Sequence, residues 1–251
     1  GLLTRRANYH TAPVPVIHHE GRIWRAVEDA SFGEHWGTRY GAGMLSAPLD
    51  SDLLIAHNWS FSAALPRDPS WLEGRFQGWL EGNAVVDPAG RIVNVLRVDV
   101  PHGPEKAALV YWDPHHQRLH FDASSGFIDF PGGAKKFTLR FDAVSASYLA
   151  LANVAPVSEQ KAKPSQIRNT LALISSPDLR EWRIHSTILL HPDPKHHGFQ
   201  YVDWHIDGDD LVALCRTAYD DGQGGAHNYH DANYLTFHRI AHFRDMLNRE
   251  A

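Results

Sequence analysis

Apolar and polar residues alternate along most of the chain, in runs of about five to eight residues separated by Gly, Pro and Asp. A period of two places successive side chains on opposite faces of a β-strand, whereas an amphipathic helix needs a period near 3.6. Few segments show the helical period, and the strongest of them lies at residues 242–249. The pattern therefore predicts an all-β protein.

The predicted strands recur in a fixed order, in which a β-hairpin is followed by a polar loop and a third strand. The first strands of the four hairpins are predicted at residues 10–17, 82–86, 136–141 and 200–206. The third strands are predicted at residues 41–47, 106–112, 170–175 and 233–240. Fourth strands are predicted in the first three units, at residues 55–63, 119–122 and 183–189. Such four-stranded units, repeated about every 55–70 residues, are the pattern of β-propeller blades.

We therefore expect a single β-propeller domain over residues 1–251, with four blades in this chain and five in the complete ring. The fourth unit ends after its third strand, and residues 1–5 precede the first hairpin. This segment either supplies the missing strand of the last blade or belongs to a blade upstream of Gly1. A β-sandwich would also give alternating strands, but it would not explain the repeated order of hairpin, loop and strand.

Composition excludes several classes of partner. The net charge is −5 and no basic run could follow a phosphate backbone, so we expect no nucleic-acid partner. No apolar run reaches the ~18 residues of a membrane helix, so we expect no membrane partner. A single cysteine, Cys215, leaves no intrachain disulfide. The 18 histidines and 8 tryptophans are the notable excesses, and aromatic faces are common platforms for sugar rings.

Propeller topology predicts which end of the blades binds the ligand. The loop before each first strand and the loop between the second and third strands lie at this end, which usually binds the ligand. Glu28, Arg97 and Arg216 end equivalent second strands, where crowding and desolvation perturb pKa values. A polar loop edge is also ordinary for a solvated surface, so the position of these side chains carries more weight than their number.

Glu81 is the leading catalytic candidate, because the sequence Trp79-Leu80-Glu81-Gly82-Asn83 puts a carboxylate at the start of a first strand. Gly82 would let a ligand approach the backbone, and burial would raise the pKa of Glu81 to suit a general acid. Glu28 or Asp203 would then be the base or nucleophile, and His230 a further acid–base group. The structural alternative is a Glu81 held in place by an arginine such as Arg97.

The remaining candidates are side chains that could bind a sugar or an anionic group on it. They are Trp36, Arg97, Lys136, Tyr201, Arg216, His227 and Asp231. Two histidine clusters, at residues 191–197 and 227–231, contain side chains of the metal-ligand type, but their spacing fits no strong metal signature. Substrate contact or acid–base chemistry is the alternative for both clusters, and we expect neither a metal nor a cofactor.

Short motifs give a resemblance at the level of a superfamily. Residues 175–182, Ser-Ser-Pro-Asp-Leu-Arg-Glu-Trp, are similar to the outer-strand turn of sialidase-like and arabinanase-like propeller glycosidases, although the sialidase Asp-box is degenerate here. Glu81-Gly82 resembles the element that carries the general acid in the arabinanase type. Arg216 is similar to the carboxylate-binding arginines of sialidases. The resemblance implies a propeller glycosidase with a periplasmic or extracellular location.

The residues and the resemblance together favour a glycoside hydrolase acting on an oligosaccharide or polysaccharide that contains an acidic or modified sugar. A polysaccharide lyase is the second hypothesis, in which His230, Tyr229 or His227 abstracts the proton next to a uronate carboxylate. A sugar-binding propeller without catalysis is the third. An unsaturated product that absorbs in the near ultraviolet would identify the lyase.

Overall fold

The computed structural model of the protein describes residues 8–10, 12, 14–155 and 163–248, and its regular structure is almost entirely β-strand. The strands form four sheets that follow one another along the chain. The chain divides into two compact units, a first unit of residues 1–99 with 107–128 and a second unit of residues 100–106 with 129–251. The all-β prediction is confirmed, and the single domain expected over residues 1–251 stays a prediction.

The first sheet is built on two long antiparallel strands, β3 (Arg22–Asp29) and β4 (Gly41–Pro48). Two short strands, β1 (Tyr9–His10) and β2 (Ile17–His19), both pair with β3, in place of the continuous strand expected over 10–17. The sequence between them contains prolines at 13 and 15, which lack the N–H that a strand ladder needs.

The outer strand of the first sheet, β5 (Ser60–Phe61), is much shorter than the strand expected over 55–63. A 3-10 turn at Ala56–Asn58 precedes it. The side chains of Asn58 and Trp59 donate hydrogen bonds to the backbone carbonyls of Asp52 and Leu53, at 2.8 and 3.0 Å. These local bonds hold the chain in a turn, so the ladder is confined to β5.

The second sheet contains β6 (Gly78–Val86), β7 (Ile92–Asp99) and β8 (Lys106–Asp113) in antiparallel order. Two short strands pair with the outer side of β8: β9 (Arg118–His120), which the sequence predicted, and β10 (Phe127–Asp129), which it did not. A cluster of aromatic rings with centroids 4.8–5.9 Å apart packs beside this sheet. Its members are Trp71, Phe76, Trp79, Phe121 and Phe127.

The third and fourth sheets belong to the second unit. The third consists of β11 (Thr138–Asp142), β12 (Ser147–Asn153), β13 (Thr170–Ser176) and β14 (Arg183–Leu190), in antiparallel order. The fourth has three strands, as the sequence predicted, which are β15 (Gly198–Asp207), β16 (Asp210–Ala218) and β17 (Tyr234–Ile240).

The helix predicted near the end of the chain is α1 (Phe243–Leu247). Phe243 is completely buried and joins a core that includes Leu173 and Trp204. None of the described helices is long and apolar enough to cross a membrane. Residues 1–5, for which two roles were expected, lie outside the described residues.

Candidate active site

Two first strands, β6 and β15, carry the same irregularity near their beginnings. The pairing of β6 with β7 slips between residues 80 and 83, and the pairing of β15 with β16 slips between residues 200 and 203. Each slip sets two residues opposite one, which is the geometry of a β-bulge. The first bulged residues, Glu81 and Tyr201, both have left-handed backbone, with φ of 57° and 53°. Bulges often re-aim side chains next to active sites, so these two positions stand out from the regular ladder.

Gly82 completes the bulge in β6, and its neighbours leave no room for a larger residue. A Cβ at this position would overlap the side-chain amide of Asn94 on β7, which is fully buried. The glycine of the Glu-Gly pair that the sequence singled out is therefore favoured by packing.

Glu81 forms a buried ion pair with Arg97, which lies beside the bulge on β7. Arg97 Nη1 donates to Glu81 Oε2 at 2.7 Å, and the two side chains are only 2% and 5% exposed. A guanidinium in direct contact stabilises the charged form of a carboxyl group, so Glu81 is held as a carboxylate. The Arg97 guanidinium lies 5.6 Å from the ring centroid of Trp36, whose side chain is exposed.

Glu28, which is buried, and His10, which is half-buried, form a second acid–base pair in the same unit, because the ladder between β1 and β3 places them opposite each other. The Nδ1 of His10 is 2.9 Å from Oε2 of Glu28. The other carboxylate oxygen of Glu28 accepts the backbone N–H of Gly82 at 3.1 Å, which brings Glu28 next to the bulge.

The pKa values of this pair are both shifted upward. Burial raises the pKa of Glu28, the hydrogen bonds from His10 and Gly82 oppose that shift, and the Glu81 carboxylate adds to it. The hydrogen bond to Glu28 raises the pKa of His10. The His10–Glu28 pair is therefore suited to hold a proton beside the charged Glu81, and this combination can perform general acid–base chemistry.

The second unit repeats the arrangement with different residues. Tyr201 takes the bulge position of Glu81, and Arg216 on β16 takes the position of Arg97. The Arg216 guanidinium lies 4.9 Å from the ring centroid of Tyr201 and donates to the backbone carbonyl of His230 at 2.8 Å. Partial burial and the nearby charge of Arg168 lower the pKa of His230, so its ring is neutral near pH 7.

Two further buried residues, Gln200 and Arg168, hold this second group together. Gln200 donates to the carbonyls of Tyr229 and His230, at 2.7 and 2.9 Å. Arg168 Nη1 donates to the side-chain oxygen of Gln200 at 2.6 Å. Aligning the starts of the two hairpins, Trp79-Leu80-Glu81 with Phe199-Gln200-Tyr201, would have pointed to Gln200.

Four predicted residues lie outside these contacts. Lys136 is buried and donates to Thr138 Oγ1 and to the carbonyl of Val202, at 2.6 and 2.8 Å. Asp203 accepts from Arg140 at 3.0 Å. His227 is exposed, and Asp231 accepts from Asn228 at 2.7 Å while standing 3.6 Å from Nδ1 of His230.

The described residues include one group of three metal-ligand side chains within reach of one another, formed by His191, His197 and Asp220. It lies in the second unit, and one of its members, Asp220, was not part of the histidine clusters expected from the sequence.

No protein-family profile and no curated protein matches the sequence. Solved structures match most of it. The fructofuranosidase from Schwanniomyces occidentalis complexed with fructose has a TM-score of 0.54 at 13% identity, over 88% of this chain and 42% of that one. The exo-inulinase from Aspergillus awamori has a TM-score of 0.53 at 12% identity, over 90% and 48%. A levansucrase variant from B. megaterium has a TM-score of 0.55 at 9% identity, over 92% and 65%.

The chain has a β-propeller fold. Four blades are present, as predicted, and the fifth blade of a complete ring stays a prediction. The structural neighbours are five-bladed propeller glycoside hydrolases, and they are not specifically sialidases, so the sialidase part of the resemblance is not supported. At these identities the likeness concerns the fold alone. The chain spans less than half the length of the fructofuranosidase and the inulinase.

Proposed function

We propose that this propeller belongs to a glycoside hydrolase whose acid–base groups are Glu28 and Glu81. The observation that carries the proposal is the contact of Glu28 with the backbone of Gly82, because it sets a second buried carboxyl group beside Glu81. Glycosidases use a pair of carboxyl groups, one that holds a proton and one that is charged. The fold shared with the fructofuranosidase and the inulinase supports the same reaction class.

The electrostatics favour an exchange of the roles expected from the sequence. Glu81 is paired with Arg97 and is a better base or nucleophile than proton donor. The His10–Glu28 pair has raised pKa values and is the better proton donor. We therefore assign proton donation to His10 with Glu28, and negative charge to Glu81.

Trp36 is proposed to be the platform for the sugar ring. Its indole is 58% exposed and stands over Arg97, so a sugar stacked on it would lie close to the Glu81–Arg97 pair. Trp36→Ala is then expected to raise KM more than it lowers kcat, because the stacking acts on ground state and transition state alike.

The substrate class is proposed from two observations. The named neighbours are a fructofuranosidase complexed with fructose, an inulinase and a levansucrase, which makes fructans the first substrates to test. Arg216 contacts an aromatic ring and a backbone carbonyl, and none of the described carboxylates forms an ion pair with it. Its charge could therefore bind an acidic sugar, so uronate-containing and other acidic glycans are the second class of substrates to test.

The test is hydrolysis of fructans, arabinan and acidic oligosaccharides by the wild type and by Glu81→Gln and Glu28→Gln. Each substitution is expected to lower kcat/KM by a factor of about 100 to 10,000, the usual contribution of an acid–base group. Asp142→Asn is the matched control, because it also removes a buried carboxylate from an arginine pair, and it should retain activity.

Two outcomes would contradict the proposal. If Glu81→Gln and Glu28→Gln turn over substrate at the wild-type rate, these carboxyl groups are structural. If the wild type binds sugars and hydrolyses none of them, the protein is a sugar-binding propeller.

A lyase is the second candidate, because His230 has a lowered pKa and stands close to Arg168, Arg216 and Tyr201. A neutral imidazole can accept the proton next to a uronate carboxylate while an arginine neutralises that carboxylate. A near-ultraviolet absorbing product that disappears in His230→Ala, and persists in Glu81→Gln, would favour the lyase over the hydrolase.

A further inference from the structure

A compact group of potential metal ligands lies where the connection from β14 to β15 meets the end of β16. One ring nitrogen each of His191 and His197 and one carboxylate oxygen of Asp220 lie within 4.8 Å of one another. His191 and His197 are the first and last residues of the connection, and Asp220 follows β16. All three belong to the second unit, and none takes part in the contacts of Glu28 and Glu81 described above.

His197 is the strongest pointer to a ligand. It is 4% exposed, and within the described residues neither of its ring nitrogens forms a hydrogen bond of good geometry, although each faces a carboxylate. A buried polar group without a hydrogen bond is costly, and such groups in native proteins call for a specific explanation. Two carboxylates stand just beyond hydrogen-bonding geometry, Asp193 at 3.4 Å from Nδ1 and Asp220 at 3.3 Å from Nε2.

These two distances match the surroundings of a metal-bound histidine. Ligand atoms on a tetrahedral zinc ion stand about 3.3 Å apart, since each bond is about 2.0 to 2.1 Å long. The separation of His197 Nε2 and Asp220 Oδ1 already has this value. Asp193, on the other side of the ring, is placed to accept the Nδ1 proton, as carboxylates behind metal-bound histidines commonly do.

His191 is held against His197 by stacking. The two imidazole centroids are 3.4 Å apart with an interplanar angle of 18°, and Tyr219 packs edge-on against both rings. Because the lone pair of an imidazole nitrogen lies in the ring plane, His191 has to turn out of this stack to share a metal ion with His197. The Nδ1 of His191 accepts the backbone N–H of Asp193 at 3.1 Å.

We propose that His191, His197 and Asp220 form a binding site for a divalent transition metal ion of the zinc type. Two imidazoles and one carboxylate suit zinc, and they disfavour magnesium and calcium, which prefer oxygen ligands. Asp220 is 76% exposed, so it can move toward the metal, and solvent can supply the fourth ligand. The metal would clamp the β14–β15 connection to the end of β16.

Coordination by His191 has a specific structural cost. If Nδ1 binds the metal, it can no longer accept the Asp193 N–H, and if Nε2 binds the metal, Nδ1 carries the proton and again cannot accept it. The Asp193 amide therefore loses its hydrogen bond on loading in either case. This amide resonance should shift strongly in an NMR titration with zinc.

The experiment is calorimetric titration of zinc chloride into untagged, chelator-treated full-length protein. We expect one zinc ion per chain, with a Kd of about 1 μM or lower, and no comparable binding of magnesium. Asp220→Asn should weaken zinc binding at least about tenfold. Because Asp220 is exposed, this variant is expected to fold normally, and it tests the site even if His197→Ala does not fold.

His116→Ala is the matched control, because His116 and Asp113 form an exposed histidine–aspartate pair elsewhere, 2.6 Å apart. This variant should bind zinc as the wild type does. Zinc binding that is absent, that is unchanged in Asp220→Asn, or that is lost in His116→Ala would overturn the proposal. Because the glycosidase assignment rests on other residues, loss of zinc binding in Asp220→Asn with normal hydrolysis would separate the two.

Discussion

At the scale of single residues, desolvation raises the pKa of a buried carboxyl group, and the hydrogen bonds that it accepts lower this pKa. For Glu28, desolvation outweighs the hydrogen bonds to His10 and Gly82, and its pKa rises. Asp142 is buried against the guanidinium of Arg244, and its pKa falls to about 2. The balance between desolvation and the hydrogen bonds that a carboxyl group accepts therefore sets the direction of its pKa shift.

Cys215 gives a direct test of burial. Desolvation raises the pKa of its thiol to about 12, so the reactive thiolate is almost absent in the folded protein. We expect Cys215 to resist alkylation by iodoacetamide at about pH 8 in the native state and to react fully in guanidinium chloride. Mass spectrometry would count the modified chains. Rapid native labelling would show that β16 opens far more readily than its packing implies.

His10 and His230 are expected to titrate on opposite sides of the ordinary histidine pKa of 6.5, His10 above it and His230 below it. NMR titration of their ring resonances would measure both. Glu28→Gln should lower the pKa of His10, because it removes the carboxylate that stabilises the imidazolium. The raised pKa of His10 stabilises the fold at pH below about 6.5, and this contribution is lost as the pH rises through the folded-state value. An unchanged His10 titration in Glu28→Gln would contradict the contact.

At the scale of elements, α1 is tied to the turn between β11 and β12 by a bidentate ion pair. Arg244 donates to both carboxylate oxygens of the buried Asp142, at 2.9 Å each. Asp142 also accepts from the backbone and side chain of Ser145, which closes the turn. One carboxylate therefore organises both a hairpin turn and the docking of the only described α-helix.

Asp142→Asn is expected to lower the free energy of unfolding by about 2 kcal/mol at neutral pH, because the folded-state pKa of about 2 lies below the ordinary 3.8. A carboxyl group with a depressed pKa stabilises the fold above its unfolded pKa. The difference from the wild type should therefore shrink as the pH falls from about 4 to about 2. Guanidinium chloride unfolding at several pH values measures it.

Asp129→Asn is the control for this prediction, because Asp129 pairs with Lys106 at the surface and is 81% exposed. Such an exposed pair contributes between zero and about 1 kcal/mol. Equal losses of stability in the two variants would mean that the Asp142–Arg244 pair adds nothing beyond an exposed pair.

Sequence periodicity predicted the long strands well, because their alternation and turn residues act locally. The turn after β6 is an example, in which Asp87 accepts the backbone N–H groups of Ala89 and Arg91, and Gly90 has φ of 80°. The turn after β15, with Gly208 at φ of 63°, was equally visible. Turn formation depends on residues that are close in sequence, so the hairpins could be predicted from these residues.

The candidate site was less predictable, because it depends on tertiary contacts. Glu81 and its pairing with Arg97 were anticipated from their positions, but the sequence did not reveal that Glu28 would have the raised pKa. Lys136 looked like an exposed anion-binding residue, yet its ammonium group satisfies a buried backbone carbonyl. Burial of a charged side chain is decided by partners distant in sequence, which alternation does not encode.

At the scale of the whole molecule, the net charge and the apolar edge strand of the fourth sheet both affect solubility. The isoelectric point expected from the sequence is near 6.4, and the net charge at pH 7 is −5. In the described part of the chain, β17 pairs with β16 alone, and Leu235 and Phe237 on this edge strand are 70% and 62% exposed. Unpaired apolar edges promote association between strands of different molecules.

We expect self-association to be greatest near pH 6.4, where electrostatic repulsion vanishes. Replacing Leu235 and Phe237 by lysine should suppress it, because charged side chains on an edge strand oppose pairing. Light scattering across the pH range measures the effect. Replacing Leu53 and Leu54 by lysine adds the same charge away from β17, so equal suppression there would mean that net charge alone is responsible.

The matching bulges in β6 and β15 imply that the fold has two equivalent positions at which the side chain could be exchanged. At both positions a residue with left-handed backbone conformation contacts an arginine on the neighbouring strand. This residue is Glu81 in β6 and Tyr201 in β15. The backbone is already bent to the required shape, so a change of side chain needs no change of loop. Tyr201→Glu would transplant the carboxylate–guanidinium pair of the second blade into the fourth, and a protein engineer could move an acid group without redesigning the fold.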